Sequence, residues 1–182
     1  MPYRVTPSSL PDVLILEPQV SSDDRGFFFE SFNARDFETA TGVSTNFVQD
    51  NHSRSRRNVL RGLHYQIQHP QGKLVRVTEG EIFDVAVDLR RASVHFGKWT
   101  GVMLSAANKR QLWIPPGFAH GFLAISENVE VLYKTTDYWH PEYERSLLWN
   151  DPQLNIAWPL NGEPMLAPKD ASGALFNDAE TF

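Results

Sequence analysis

The chain is a succession of short segments in which apolar and polar positions alternate, punctuated by turn residues at intervals of roughly ten positions. Strands are expected over 13–17, 27–32, 46–51, 59–66, 73–79, 81–89, 99–104, 111–114, 118–125 and 129–136. Within 73–79, Val75 and Val77 alternate with Arg76 and Thr78, the pattern of a half-buried strand. Asp23-Asp24-Arg25-Gly26 forms a turn leading into the aromatic run Phe27-Phe28-Phe29, and Asn33 and Gly42 bracket one short helix over 34–41. The final twenty or so residues, rich in Pro, Gly, Asn and Asp, predict irregular chain draped over the sheet. Many short strands at this spacing specify an all-β fold, a sandwich, jelly roll or small barrel. No repeat or linker divides it, so residues 1–182 are read as a single domain.

The densest chemistry lies in Arg61-Gly62-Leu63-His64-Tyr65-Gln66 and in Lys73-Leu74-Val75-Arg76-Val77. A glycine inside a strand marks a bulge or a close backbone approach, and a bulge re-aims its neighbours. A bulge at Gly62 turns Arg61 and His64 toward one face, so that two neighbouring strands offer a histidine, an arginine and a lysine to one cavity. A base beside two fixed cations suits a reaction that makes an anion from an anionic substrate, which points to an enzyme.

Composition narrows the partners. A net charge of −5 argues against nucleic acid, which needs a basic surface. Arg54, Arg56, Arg57, Arg61, Lys73 and Arg76 nonetheless fall within 23 positions, and the first three are read as a solvated loop. The absence of cysteine removes disulfides and thiolate metal sites. The start of the chain leads into no apolar run and no stretch reaches spanning length, so the expected setting is the cytoplasm, away from membranes.

A second informative stretch is Trp113-Ile114-Pro115-Pro116-Gly117-Phe118-Ala119-His120-Gly121-Phe122. Pro-Pro-Gly is turn chemistry, and His120 follows it at the start of a strand, where it can point inward as a core or a functional histidine. Together the two stretches resemble the paired motifs of the cupin superfamily, which implies a jelly roll or small β-barrel with N-terminal strands and one or two short helices. Metal-binding cupins carry His-x-His and a Glu in the first motif. Here His64 is followed by Tyr65 and Gln66, so no metal and no cofactor are expected.

The resemblance tightens to one family of metal-free cupins, the dTDP-4-dehydrorhamnose 3,5-epimerases, and it covers nearly the whole chain. Its marks are Asp24-Arg25-Gly26 with Glu30, Gln49-Asp50-Asn51-His52-Ser53, Leu60 to His64, Gln71 to Val77, Gly80 to Arg90, Ile114 to Phe122, Tyr133 to Tyr138, Trp149 to Pro152, and Lys169-Asp170. Two departures are Trp139, where a second tyrosine is usual, and Ala167-Pro168 before Lys169. The resemblance implies inversion at the two carbons flanking a sugar ketone, with His64 as base, Asp170 holding its imidazole, Lys73 stabilising the enolate and Tyr133 as opposite-face proton donor. Asp84 is a second candidate for holding His64. It further implies that Arg61 and Lys169 grip the pyrophosphate, that Arg25, Glu30, Gln49 and Asn51 contact the thymidine end, that Tyr138 and Glu144 line the site, and that His120 touches the sugar. The implied assembly is a homodimer that exchanges N-terminal strands and binds a dTDP-sugar. Rival readings are a 3- or 5-epimerase, a 3,4-ketoisomerase and a non-catalytic carbohydrate-binding cupin, the last having no use for an acid–base set.

Overall fold

A computed structural model describes residues 3–182 as an all-β molecule built on two facing antiparallel sheets. The strands are β1 (Arg4–Pro7), β2 (Leu14–Glu17), β3 (Ser21–Asp23), β4 (Gly26–Phe28), β5 (Gln49–Arg56), β6 (Leu60–Gln66), β7 (Lys73–Glu79), β8 (Glu81–Asp88), β9 (Trp99–Ser105), β10 (Gln111–Ile114), β11 (Phe118–Ala124), β12 (Asn128–Thr135) and β13 (Glu144–Ser146). The two α-helices are α1 (Ala34–Thr41) and α2 (Pro168–Ala171). One sheet has six strands in the order β1-β2-β10-β7-β12-β5, the other five in the order β13-β6-β11-β8-β9. This is the cupin-type jelly roll that the sequence motifs imply. No helix among the described residues is long and apolar enough to cross a membrane.

Period-two alternation sorts the side chains into three layers. Val75, Val77, Ile82, Ala86, Leu104, Leu112, Phe118, Phe122, Val129 and Val131 fill the space between the sheets. The outer face of the five-stranded sheet buries Leu60, Leu63, Tyr65, Val85, Val87 and Leu123 beneath the C-terminal segment, which supplies Leu154, Trp158 and Phe176. That segment has almost no regular structure, as its composition predicts. Buried Asp151 organises it by accepting from the backbone N–H groups of Gln153, Leu154 and Phe176. Helix α1 covers the outer face of the six-stranded sheet, where Phe37 packs with Leu16, Leu74 and Trp113. Asn33 Oδ1 accepts from the N–H groups of Arg35 and Asp36, and Gly42 ends the helix in the left-handed region at φ 71°.

Several expectations need correction. Strands β6 and β7 are not neighbours: the chain crosses between the sheets at residues 67–72, so Arg61 and His64 face Lys73 across the barrel. The arginine-rich stretch is a loop only at Arg57, in the exposed turn after β5. Arg54 and Arg56 lie on the outward face of β5, an edge strand whose inward face carries Gln49, Asn51, Ser53 and Ser55. With no apolar residue in it, β5 has no hydrophobic alternation to betray its extent. The aromatic strand is cut to Gly26–Phe28, and β3 and β4 pair only with each other.

The glycine in β6 does what its position implies. Against β11, His64 pairs with His120 and Arg61 with Phe122, so three steps along β6 match two along β11. The extra residue is a bulge at Gly62 and Leu63. Without it, residues three apart point to opposite faces; with it, Arg61 and His64 both enter the barrel while Leu63 and Tyr65 remain in the outer core. Two glycines permit the approach. Gly62 adopts φ 116°, and a Cβ there would meet Gly121 Cα at 2.6 Å and His120 O at 2.7 Å. A Cβ on Gly121 would lie 2.5 Å from Arg61 O. Gly121→Ala is therefore expected to destabilise the fold by about 1–3 kcal/mol through overpacking, measured by denaturant midpoint, and to lower turnover by displacing His64.

Candidate active site

Side chains from both sheets converge in a cavity of about 380 Å³ at one end of the barrel. The five-stranded sheet contributes Arg61, His64 and His120, the six-stranded sheet Gln49, Asn51, Ser53, Lys73 and Tyr133, and the rim adds Gln71, Trp139, Glu144, Lys169 and Asp170. Phe122 stands where this polar end meets the apolar barrel core.

Two imidazole–carboxylate pairs sit side by side, because His64 and His120 are register partners. His64 Nε2 lies 2.6 Å from Oδ1 of Asp170, a buried residue of α2. A carboxylate only accepts, so Nε2 carries the proton and Nδ1 keeps the lone pair. His64 retains contact with solvent, its side chain 24% exposed, whereas Asp170 has almost none. The second pair is more enclosed: His120 Nε2 lies 2.9 and 3.0 Å from the two oxygens of fully buried Asp84. Asp84 thus partners His120, not His64. It stands on β8, and β11 intervenes between β8 and β6.

Lys73 is buried, with Nζ 3.5 Å from the backbone oxygen of His64. Burial pulls its ammonium down to about 8, against the opposing pull of Asp84 and Glu144. Burial pushes the Tyr133 phenol up, reinforced by Glu144, so it stays a protonated donor. Arg61 donates from Nε to Ser55 Oγ at 2.9 Å and from its terminal nitrogen to Arg54 O at 3.1 Å. Lys169 pairs with Glu144 at 3.1 Å, and Gln49 donates to Asn51 at 3.0 Å. A base held by a carboxylate, a facing phenol, a buried ammonium and the cations Arg61 and Lys169 suit proton abstraction next to a carbonyl in an anionic molecule.

The cavity omits three residues that the motifs had placed there. Arg25 projects from the β3–β4 hairpin, with a side chain 90% exposed and paired with Asp23, and Glu30 follows the same hairpin. Tyr138 does not line the cavity; its neighbour Trp139 does, its N–H donating to Gln49 Oε1 at 3.1 Å. Ser53 and Gln71 were not foreseen. Ser53 continues the inward series of Gln49 and Asn51 two positions on, a signal that was available, and its buried hydroxyl has no partner among the described residues.

The family model described as dTDP-4-dehydrorhamnose 3,5-epimerase matches residues 7–178. The chain belongs to the dTDP-4-dehydrorhamnose 3,5-epimerase family. It is 63% identical to the dTDP-4-dehydrorhamnose 3,5-epimerase of Pseudomonas aeruginosa over 98% of this chain and 99% of that one. The crystal structure of a Legionella pneumophila 3,5-epimerase in complex with dTDP-4-keto-L-rhamnose superposes with a TM-score of 0.96 at 52% identity, covering 98% of this chain and 95% of that one. A 3'-monoepimerase from Streptomyces bikiniensis, solved with dTDP-quinovose, gives 0.88 at 32% identity, covering 94% and 87%.

If the Lys73 ammonium is the charge that stabilises an enolate, it sets a pH limit on turnover, because burial pulls it down to about 8 and it loses its proton as pH rises through that value. For the free enzyme, kcat/KM is expected to fall above pH about 8, approaching tenfold per pH unit. A flat kcat/KM profile from pH 7 to 10 would remove Lys73 from that role.

Proposed function

We propose that this protein is a dTDP-4-dehydrorhamnose 3,5-epimerase, inverting carbons 3 and 5 of dTDP-4-dehydro-6-deoxy-D-glucose to give dTDP-4-dehydro-L-rhamnose in the cytoplasm, on the route to dTDP-L-rhamnose. The observation that carries the reading is the placement of an Asp170-bound His64 on one sheet and Tyr133 on the facing sheet of a single cavity. Inversion needs a base and an acid on opposite faces of one carbon, and two facing sheets supply them.

His64 Nδ1 removes the proton from a carbon next to the C4 ketone. The electron pair moves onto the ketone oxygen, where the Lys73 ammonium stabilises the enolate more strongly than the neutral ketone. Tyr133 then delivers its phenolic proton to the opposite face of the same carbon. Solvent reprotonates the phenol and accepts the proton from His64, and the cycle runs again on the second carbon. Asp170 fixes the tautomer of His64 and stabilises the imidazolium while it exists. Arg61 and Lys169 hold the pyrophosphate, Gln49 and Asn51 the nucleoside, His120 the sugar, and Ser53 offers the substrate an unused hydroxyl. The steps ask for no metal or cofactor: base, acid and enolate-stabilising cation are all side chains of this cavity.

A homodimer completes the reading. Phe27 and Phe28 are 61% and 64% exposed on a hairpin that neither sheet pairs with, a surface suited to a second copy. Such a dimer would carry Arg25 and Glu30 toward the partner's cavity. Sedimentation is expected to show a dimer at micromolar concentration, with Phe27→Ser and Phe28→Ser together shifting it toward monomer. A wild-type monomer at that concentration counts against the assembly.

Acid and base separate in deuterated water. In chelator-treated buffer, where wild-type turnover is expected to persist, His64→Asn should lose solvent exchange and inversion together, by about 10²–10⁴-fold. Tyr133→Phe keeps the base, so deuterium should still enter the sugar while formation of the L-sugar collapses. Equal loss of both in the tyrosine variant would reject it as the opposite-face donor. Deuterium at one carbon only in the wild type would make the protein a monoepimerase.

A further inference from the structure

Outside the cavity, the described residues bring three metal-binding side chains together at one place: His69, Asp137 and His140. Each offers a ligand atom, and the three atoms lie within 4.8 Å of one another. We propose that these residues form a zinc-class divalent cation site on the rim of the barrel, where the ion ties the β6–β7 connection to the segment after β12. The site is separate from the reaction, and it stands whether or not the epimerase reading does.

The geometry is close to what such an ion requires. Ligands at about 2.0–2.1 Å in a tetrahedral shell stand about 3.3 Å apart. His69 Nδ1 and Asp137 Oδ2 are 3.4 Å apart, already near that edge length. The His69 and His140 rings stack with centroids 4.5 Å apart and planes 24° from parallel, so they must open to aim their lone pairs at one point. His69 is exposed and His140 half-buried, and the imidazole torsion is soft, so this rotation is cheap. Glu142 stands 3.5 Å from His140 Nδ1, the position of a carboxylate that orients a metal-bound imidazole through its other nitrogen. Two imidazoles and one carboxylate, with a fourth position left for water, favour zinc and cobalt over magnesium or calcium, which take oxygen ligands.

The backbone beneath these side chains is already in place. Gln66, 3% exposed, donates to the carbonyls of His69 at 2.8 Å and Tyr138 at 3.2 Å, and its own oxygen accepts from the N–H of His140 at 2.8 Å. Gln71 donates to the carbonyl of Asp137 at 2.9 Å. Two glutamines thus hold both loops in register before any ion binds. The second loop carries Trp139 into the cavity wall, so a bound ion stiffens the entrance without touching a reacting atom.

The test is a zinc titration of the full chain, dialysed first against a chelator and followed by calorimetry and thermal unfolding. One site per chain with micromolar or tighter affinity is expected. At a hundredfold excess over Kd the unfolding midpoint should rise by about 5 °C or more. His69→Ala, His140→Ala and Asp137→Asn should each weaken binding at least about tenfold and abolish the midpoint rise, while His95→Ala leaves both unchanged. All lie at the surface or near it, and equal metal-free midpoints show that the variants fold. Cobalt should give the intense visible absorption of a tetrahedral site in the wild type and lose it in the double variant of His69 and His140. Unchanged zinc affinity in those variants would put the ion elsewhere, in the cavity for example, and overturn the proposal. Binding weaker than about 100 μM would overturn it equally.

Discussion

The contact between Gly62 and Gly121 is the constraint on which the arrangement of the site depends. A β-strand puts every second side chain on one face, so residues three apart oppose one another unless the ladder gains a residue. Here the ladder gains one, and the two strands then approach so closely that neither position has room for a Cβ. The outcome is double. Leu60, Leu63 and Tyr65 keep the outer core continuous beneath the C-terminal segment, while Arg61 and His64 turn inward to face Lys73 and Tyr133. A regular strand can satisfy only one of these demands. The site is thereby coupled to the packing of a face on the far side of the sheet.

Burying so much charge inside a small barrel is costly, and the way it is distributed explains the electrostatics. Both imidazoles have a carboxylate within hydrogen-bond reach, Arg61 has a hydroxyl and a carbonyl, and Lys169 has Glu144. Lys73 is the exception. Among the described residues it donates to a carbonyl at 3.5 Å, and its ammonium is pulled down by desolvation that neighbouring acids only partly offset. A cation held short of partners in the ground state gains most when negative charge appears beside it. In the proposed mechanism the same feature that costs stability would favour enolate formation, as expected when binding energy is reserved for the transition state.

Legibility from sequence varied with the strength of the local signal. The helix over 34–41 was readable because Asn33 and Gly42 mark its two ends chemically, and the strand over 73–79 because valines alternate with polar residues. Strand β5 was placed too early, since an inward face of Gln, Asn and Ser looks like a loop when only hydrophobic periodicity is counted. The bulge was legible from one glycine in an otherwise regular run. Which strands neighbour one another was not, because a crossover between sheets leaves no mark in a six-residue connection. For that reason the sequence places Lys73 beside His64 and not across from it, and leaves Asp84 as a second candidate for His64 when its partner is His120. Trp139 was noticed as a departure, but only the fold shows that it, and not Tyr138, reaches the cavity of its own chain.

One base and one acid serving two carbons is a demanding arrangement, and the cavity indicates how it is met. Carbons 3 and 5 flank the ketone, so in the proposed mechanism a pivot of the sugar in its own plane about the ketone oxygen presents one and then the other, same face first, to the same pair. In that mechanism the oxygen would stay with Lys73 during the pivot, and both enolates would carry their charge on the same atom. The catalytic groups therefore need not move between steps; the sugar must. Trp139, Ser53 and His120 line the cavity beside His64 and Tyr133, and in the proposed mechanism the room they leave would set how far the sugar can turn. An enzyme of this shape that inverts one carbon and one that inverts two can share base, acid and cation unchanged. What separates them is the room left around a ring pivoting on its ketone oxygen, a property that belongs to packing at the mouth of the barrel.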